Sequence, residues 1–206
     1  MSTHTQTSTI QPVVLASTSA IRQAVLRGAG VPFEAVSPGV DETAIKESLL
    51  AEGVSPRDVA DALAEAKAVK VSLKRPGLVI GADQTLDLEG RLFDKADTVD
   101  EARERLKALR GKTHKLHCGM VVAQAGQPIW RQVVTTTLRM RPFTDDYLEG
   151  YLERNAPAVL SSVGCYQLEG EGVQLFDRIE GDYFAILGLS LVPLLDLLRR
   201  QGAVPL

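Results

Sequence analysis

Apolar positions along the chain change their period from segment to segment. The run Val13-Val14-Leu15-Ala16, closed by Ser17, predicts a short buried strand. Ile21, Val25 and Ala29 then recur at four-residue steps, which predicts a helix stopped at Gly28 or Gly30. PFEAVSP, 32–38, predicts a second strand. A long helix is expected from Ser55 to Gly77. Ser55 can cap it, Pro56 suits its first turn, Asp58 favours its positive end, and Pro76-Gly77 stops it. LVIGAD, 78–83, predicts an apolar strand ending at Asp83, and TLDLEGRLFD, 85–94, a hairpin turning at Glu89-Gly90.

Thr98 and Glu101 have the spacing of a capping box, ahead of a helix whose apolar stripe is Ala102, Leu106 and Leu109. Long β segments at 113–124 and 129–141 flank the turn AGQP. Thr144 can cap a helix holding Tyr147, Leu148 and Tyr151. GVQLFDRIEGDYFAILGL, 172–189, predicts two strands, and SLVPLLDLLRRQG, 190–202, a closing helix. Strands and helices interleave without a strict βαβ repeat, which predicts an α/β fold with a mixed sheet. The expected organisation is a single two-lobed domain over 12–206 with a central cleft, preceded by a flexible polar tail over 1–11.

The chain has 206 residues, enough to bury a real core, and its 45% hydrophobic and 24% charged residues place it among ordinary globular proteins. A net charge of −3 gives no reason to expect nucleic-acid binding, so an anionic ligand has to meet a local basic site. Cys118 and Cys165 are expected to be reduced, buried thiols rather than a disulfide. MSTHTQTSTIQP lacks the basic start and apolar core of a signal peptide. No run approaches the roughly 18 apolar residues of a membrane helix. A cytoplasmic protein without a membrane partner is expected.

Several stretches carry potential chemistry. In LASTSAIRQ a strand gives way to a hydroxyl-rich turn and a helix start, where free N–H groups and the helix dipole favour anions. Ser17, Thr18 and Ser19 can donate hydroxyls and Arg22 can clamp a phosphate, although the same residues also read as an ordinary cap beside a surface arginine. Asp83, beyond an apolar strand, can hold a divalent cation or take a proton from water, or simply form a turn. Asp41-Glu42 adds carboxylates. Lys67, beside the apolar stripe of its helix, and Lys95, after the hairpin, add amines. HKLHC, 114–118, resembles a metal ligand set only superficially, because side chains three apart on a strand point to opposite faces.

Read in order, LASTSAIRQAVL, VDE, AEAKA, GADQ, DKADTVDEARERLKALRGKTH, GCYQLEGEG and GDYFAILGLSL resemble the Maf family of nucleotide pyrophosphatases over nearly the whole chain. The resemblance implies an elongated mixed β-sheet flanked by helices, an ITPase-like fold of two lobes with a central cleft. It implies hydrolysis of a nucleoside triphosphate between the α and β phosphates, with a divalent cation, magnesium or manganese, as cofactor and a homodimer as the assembly. By matching positions, Asp83, Glu42, Lys67 and Lys95 are implied as catalytic, with Asp83 and Glu42 holding the metal. Ser17, Thr18, Ser19 and Arg22 are implied as substrate-binding. The family's proline and final arginine in the first block are replaced by Ala20 and Gln23, and its GKP by Asp94-Lys95-Ala96. At positions that distinguish branches, Gln84 and Glu169 resemble the branch acting on 7-methyl-GTP, while Ile21 stands where that branch often carries tryptophan. A dTTP/UTP or broad-specificity enzyme, or a catalytically weak regulator of septum formation, are the alternatives.

Overall fold

The computed structural model describes residues 11–205, so the tail expected over 1–11 lies, apart from Gln11, outside the described residues. β1 (Val13–Ala16), α1 (Ala20–Gly28) and β2 (Glu34–Val36) form a first crossover unit. α2 (Glu42–Ala51) and α3 (Pro56–Ser72) lead to the long β3 (Leu78–Leu88), which turns into β4 (Arg91–Phe93). α4 (Val99–Leu109), β5 (Thr113–Gln124), β6 (Gln127–Met140) and α5 (Asp145–Asn155) follow. β7 (Phe176–Glu180), the short α6 (Tyr183–Ile186) and α7 (Leu191–Arg200) close the chain. The strands make one mixed seven-stranded sheet, ordered β2-β1-β3-β5-β6-β7, with β4 paired to β3. β1 runs parallel to β2 and β3, and the remaining pairs are antiparallel. This is the mixed sheet flanked by helices that the sequence predicts.

Local signals account for most boundaries. The side chains of Ser19, Ser55, Thr98 and Thr144 each accept a first-turn N–H of the helix they precede. Glu89 and Gly90 both have positive φ, 56° and 85°, which suits the tight primed turn of a two-residue hairpin, and Asp87 Oδ1 accepts the Gly90 N–H at 2.7 Å. Cys118 and Cys165 are free and buried, as expected. Among the described residues no helix is long and apolar enough to cross a membrane.

Three expectations need correction. The apolar strand does not end at Asp83: β3 continues to Leu88, because β5 pairs with it from Val79 to Asp87. What ends is its other neighbour, since β1 stops at Ala16 opposite Gly81 and leaves Asp83 beyond that strand's C-terminal end. Residues 172–189 hold one strand, β7, preceded by a 3-10 turn and followed by α6, whose start is set by the Asp182 side chain accepting the Phe184 N–H. α2 was not predicted, because it buries no side chain fully and so lacks a strong apolar stripe; its signal is the Asp41 side chain accepting the Ala44 N–H.

Two large hydrophobic clusters lie along the sheet. One gathers Leu15, Leu26, Ile80, Met120, Leu194 and Leu198; the other gathers Leu86, Leu106, Leu116, Leu138, Leu148 and Tyr151. β3 and β5 contribute to both and tie them together. α3 lies directly on these strands through Ala60, Ala64 and Ala68. A Cβ at Gly81 would sit 2.1 Å from the Ala64 carbonyl oxygen, and one at Gly119 2.4 Å from that of Ala60. Only glycine permits so close an approach of helix to sheet.

Candidate active site

That approach sets the geometry of the site. Lys67 follows Ala64 on the buried face of α3. Nζ reaches Asp83 Oδ1 at 2.6 Å and Glu42 Oε2 at 3.0 Å. Lys67 and Asp83 are buried, whereas Glu42, on the first turn of α2, is 40% exposed. Burial raises the Asp83 carboxyl above the ordinary carboxylate range, and the neighbouring Lys67 and Arg22 charges hold that rise back.

The three groups border a cleft of about 860 Å³. Each of the other residues proposed from the sequence also lines it: Ser17, Thr18, Ser19, Ile21, Arg22, Gln84, Lys95 and Glu169. Ser17, at the end of β1, is buried, and its Oγ accepts the Ser19 N–H at 3.2 Å and the Arg22 Nη1 at 3.3 Å. Arg22 Nε donates to the Gly188 carbonyl at 3.0 Å, so its guanidinium is held in place from two sides. The first-turn N–H groups of α1 open towards the same region, which makes this corner suited to an anion. Lys95 follows β4 at the rim. Partial burial, and then the Arg22 charge, lower its pKa, and an anion arriving there would favour its charged form.

Gln84 is more constrained than its position predicts. Its amide nitrogen donates to the Ala185 and Ile186 carbonyls of α6 at 2.9 and 3.0 Å. Both donors are engaged, and the amide oxygen is what remains for a ligand. Glu169 is exposed and lines the cleft. Gln23, by contrast, accepts from Arg27 Nη2 at 2.7 Å on the outer side of α1 and is not part of the cleft. Asp41 acts as the α2 cap.

The HKLHC segment divides between the sheet faces as the strand period requires. His114 meets the Tyr166 hydroxyl at 2.7 Å, and His117 meets Thr135 Oγ1 at 2.9 Å and Asp87 Oδ2 at 3.3 Å. Among the described residues no three His, Cys, Asp or Glu side chains cluster as a metal site of their own. The pair Asp83 and Glu42 still fits a magnesium-like ion, which is commonly held by one or two carboxylates together with substrate phosphates. Lys67 engages only Oδ1 of one carboxylate and Oε2 of the other, which leaves Oδ2 and Oε1. Sequence reasoning missed Lys46 and Asp94, which pair with each other at the cleft; Lys46 lay in the helix that was not predicted.

The family model described as Maf-like protein matches residues 12–201. A nucleoside triphosphate pyrophosphatase of Caulobacter vibrioides is 68% identical over 95% of this chain and 98% of its own length. A 7-methyl-GTP pyrophosphatase of Rhizobium meliloti is 47% identical over 93% of this chain and 97% of its own. A solved structure of a HAM1 protein from Coxiella burnetii superposes with a TM-score of 0.42 at 15% identity, covering 64% of this chain and 73% of that one.

Proposed function

The chain belongs to the Maf-like family, and on that premise we propose that it hydrolyses nucleoside triphosphates between the α and β phosphates, releasing a monophosphate and pyrophosphate. The observation that carries this reading is the buried Lys67 ammonium joining Asp83 and Glu42 at the cleft. Asp83 is the general base. Burial raises its affinity for a proton, while the Lys67 charge favours its ionised form. The Asp83 carboxylate takes a proton from water, the water oxygen bonds to the α-phosphorus, and the bridging bond to the β-phosphate breaks with its electrons leaving on pyrophosphate. Arg22, the Ser17 hydroxyl and the α1 N-terminus hold the phosphates, and Lys95 meets them from the rim. A magnesium or manganese ion, held by Asp83 and Glu42 with the phosphates, would neutralise negative charge on the phosphate oxygens.

The base preference we propose is 7-methyl-GTP. The Gln84 amide oxygen and the Glu169 carboxylate are both acceptors, and guanine offers donors at N1 and its exocyclic amine. Uracil and thymine present two carbonyl oxygens to the same groups. Methylation at N7 adds positive charge, which Glu169 also favours. Ile21 cannot stack as an aromatic ring would, so the preference is moderate. A broader range of bases is favoured by the name of the 68%-identical relative, which specifies none. A nucleotide substrate also suits a cytoplasmic enzyme.

The test is a panel of nucleoside triphosphates with magnesium or manganese, scored for products. Pyrophosphate and monophosphate are expected, with 7-methyl-GTP ahead of dTTP and UTP in kcat/KM. Orthophosphate and nucleoside diphosphate would overturn the reaction, and a pyrimidine preference would overturn the base assignment alone.

A further inference from the structure

The charges of the cleft are unevenly committed. Lys67 is already held by two carboxylates in a buried position, so its charge is compensated where it stands. Arg22 is engaged by Gly188 and Ser17. A triphosphate brings several negative charges, and of the side chains assigned to it only Arg22 and Lys95 are cations whose charge no carboxylate offsets among the described residues. Lys46 fills the gap. It stands four residues after Glu42 on α2, hence on the same helix face one turn away, and it lines the cleft. Its ammonium pairs across the cleft mouth with Asp94, the residue immediately before Lys95. The Lys46 side chain is 20% exposed and Asp94 57%.

We propose that Lys46 is a substrate-binding residue for the β and γ phosphates, the leaving pyrophosphate, with Asp94 holding its ammonium until a polyphosphate displaces the carboxylate. This rests on the pyrophosphatase reading above. The α-phosphate belongs beside Asp83 and Glu42, where the water is activated. Gln84, bonded to α6, marks the wall where the base lies. Lys46 lies about 6 Å further along α2 than Glu42, roughly a helical turn from the reacting centre, and pairs with the segment that carries Lys95. A lysine–carboxylate pair whose carboxylate is largely exposed is weak, because water screens it. A polyphosphate offers several oxygens and more charge to the same ammonium, so the exchange favours substrate.

The experiment compares the wild type with Lys46→Met, Lys46→Arg and Asp94→Asn, all at or near the solvent boundary and checked for unchanged melting. Wild-type pyrophosphate release is measured first, and its absence would defeat the underlying reading rather than this one. Given turnover, Lys46→Met should raise KM for the triphosphate and the inhibition constant of added pyrophosphate about tenfold each, the scale of one lost charge-assisted contact. Inhibition by the nucleoside monophosphate should stay within about twofold, since that product lacks the phosphates concerned. Lys46→Arg should restore most of the affinity, and Asp94→Asn should lower KM by freeing the ammonium. Wild-type values of KM and of pyrophosphate inhibition in Lys46→Met would overturn the proposal. Equal weakening of triphosphate and monophosphate would overturn it too, placing Lys46 at the α-phosphate instead.

Discussion

Lys67 Nζ lies 2.6 Å from Asp83 Oδ1, with the two side chains only 6% and 11% exposed. Burial strips both partners of hydration, so removing Lys67 leaves the Asp83 carboxylate buried without its counter-charge. Lys67→Met should therefore destabilise the fold by about 3 kcal/mol and raise the Asp83 pKa further, moving the acidic limb of the rate profile to higher pH. Chemical denaturation and a kcat–pH profile measure the two effects. A variant with unchanged stability and an unmoved limb would show that the pair is incidental.

Asp83→Asn keeps the shape of the side chain and removes its basicity. A fall in kcat of about 10²-fold or more is expected, the scale of losing a general base. The wild-type rate requires ionised Asp83, so it should decline as pH falls through a pKa lying above the ordinary carboxylate value. The residual rate of Asp83→Asn should lack that decline. Near-normal turnover, or a retained limb, would remove Asp83 from the mechanism.

Glu169→Gln replaces an acceptor-only group with one that also donates. The ratio of kcat/KM for 7-methyl-GTP over UTP should fall by about tenfold, the scale of one good hydrogen-bonding pair. An unaltered ranking of nucleotides would show that Glu169 does not read the base.

His114 is buried against Tyr166 and Phe176, and its Nδ1 has no hydrogen-bond partner among the described residues. Burial pushes its pKa down to about 4. The unfolded chain binds that proton near pH 6.5 and the folded chain does not, so stability is lost as pH falls from about 6.5 to about 4 and is fully present above. The whole effect is about 3 kcal/mol. His117, also lowered by burial, acts in the same direction. In His114→Asn the stability difference between pH 7 and pH 4.5 should shrink but persist. Urea midpoints across that range decide it, and an unchanged difference would show that His114 does not titrate as described.

Gly81→Ala puts a methyl group 2.1 Å from the Ala64 carbonyl oxygen. A loss of about 1–3 kcal/mol is expected, the usual cost of overpacking. kcat should fall as well, because the helix that must yield carries Lys67. A variant matching wild type in both melting and kcat would mean that α3 can retreat without moving the site.

Much of this protein is legible from local pattern. The caps at Ser19, Ser55, Thr98 and Thr144 and the Glu89-Gly90 hairpin are short-range physics, in which a hydroxyl meets a nearby N–H or a glycine takes a positive φ. Spaced motif blocks brought Asp83, Glu42, Lys67 and Lys95 forward together, and the fold places all four at one cleft. Tertiary packing decided the rest. The length of β3 depended on its antiparallel neighbour β5, since a strand extends as far as a partner satisfies its backbone groups. α2 stayed hidden because a helix that buries no side chain fully writes only a weak periodic signal. Lys67 looked like any lysine beside an apolar stripe, and only the packing of α3 on β3 brings it against Asp83. The two donors of Gln84 are engaged by carbonyls more than a hundred residues away in sequence. Desolvation and hydrogen-bond commitment depend on neighbours distant along the chain, which is why residue type and spacing could nominate these side chains but could not say which of them remain free for a ligand.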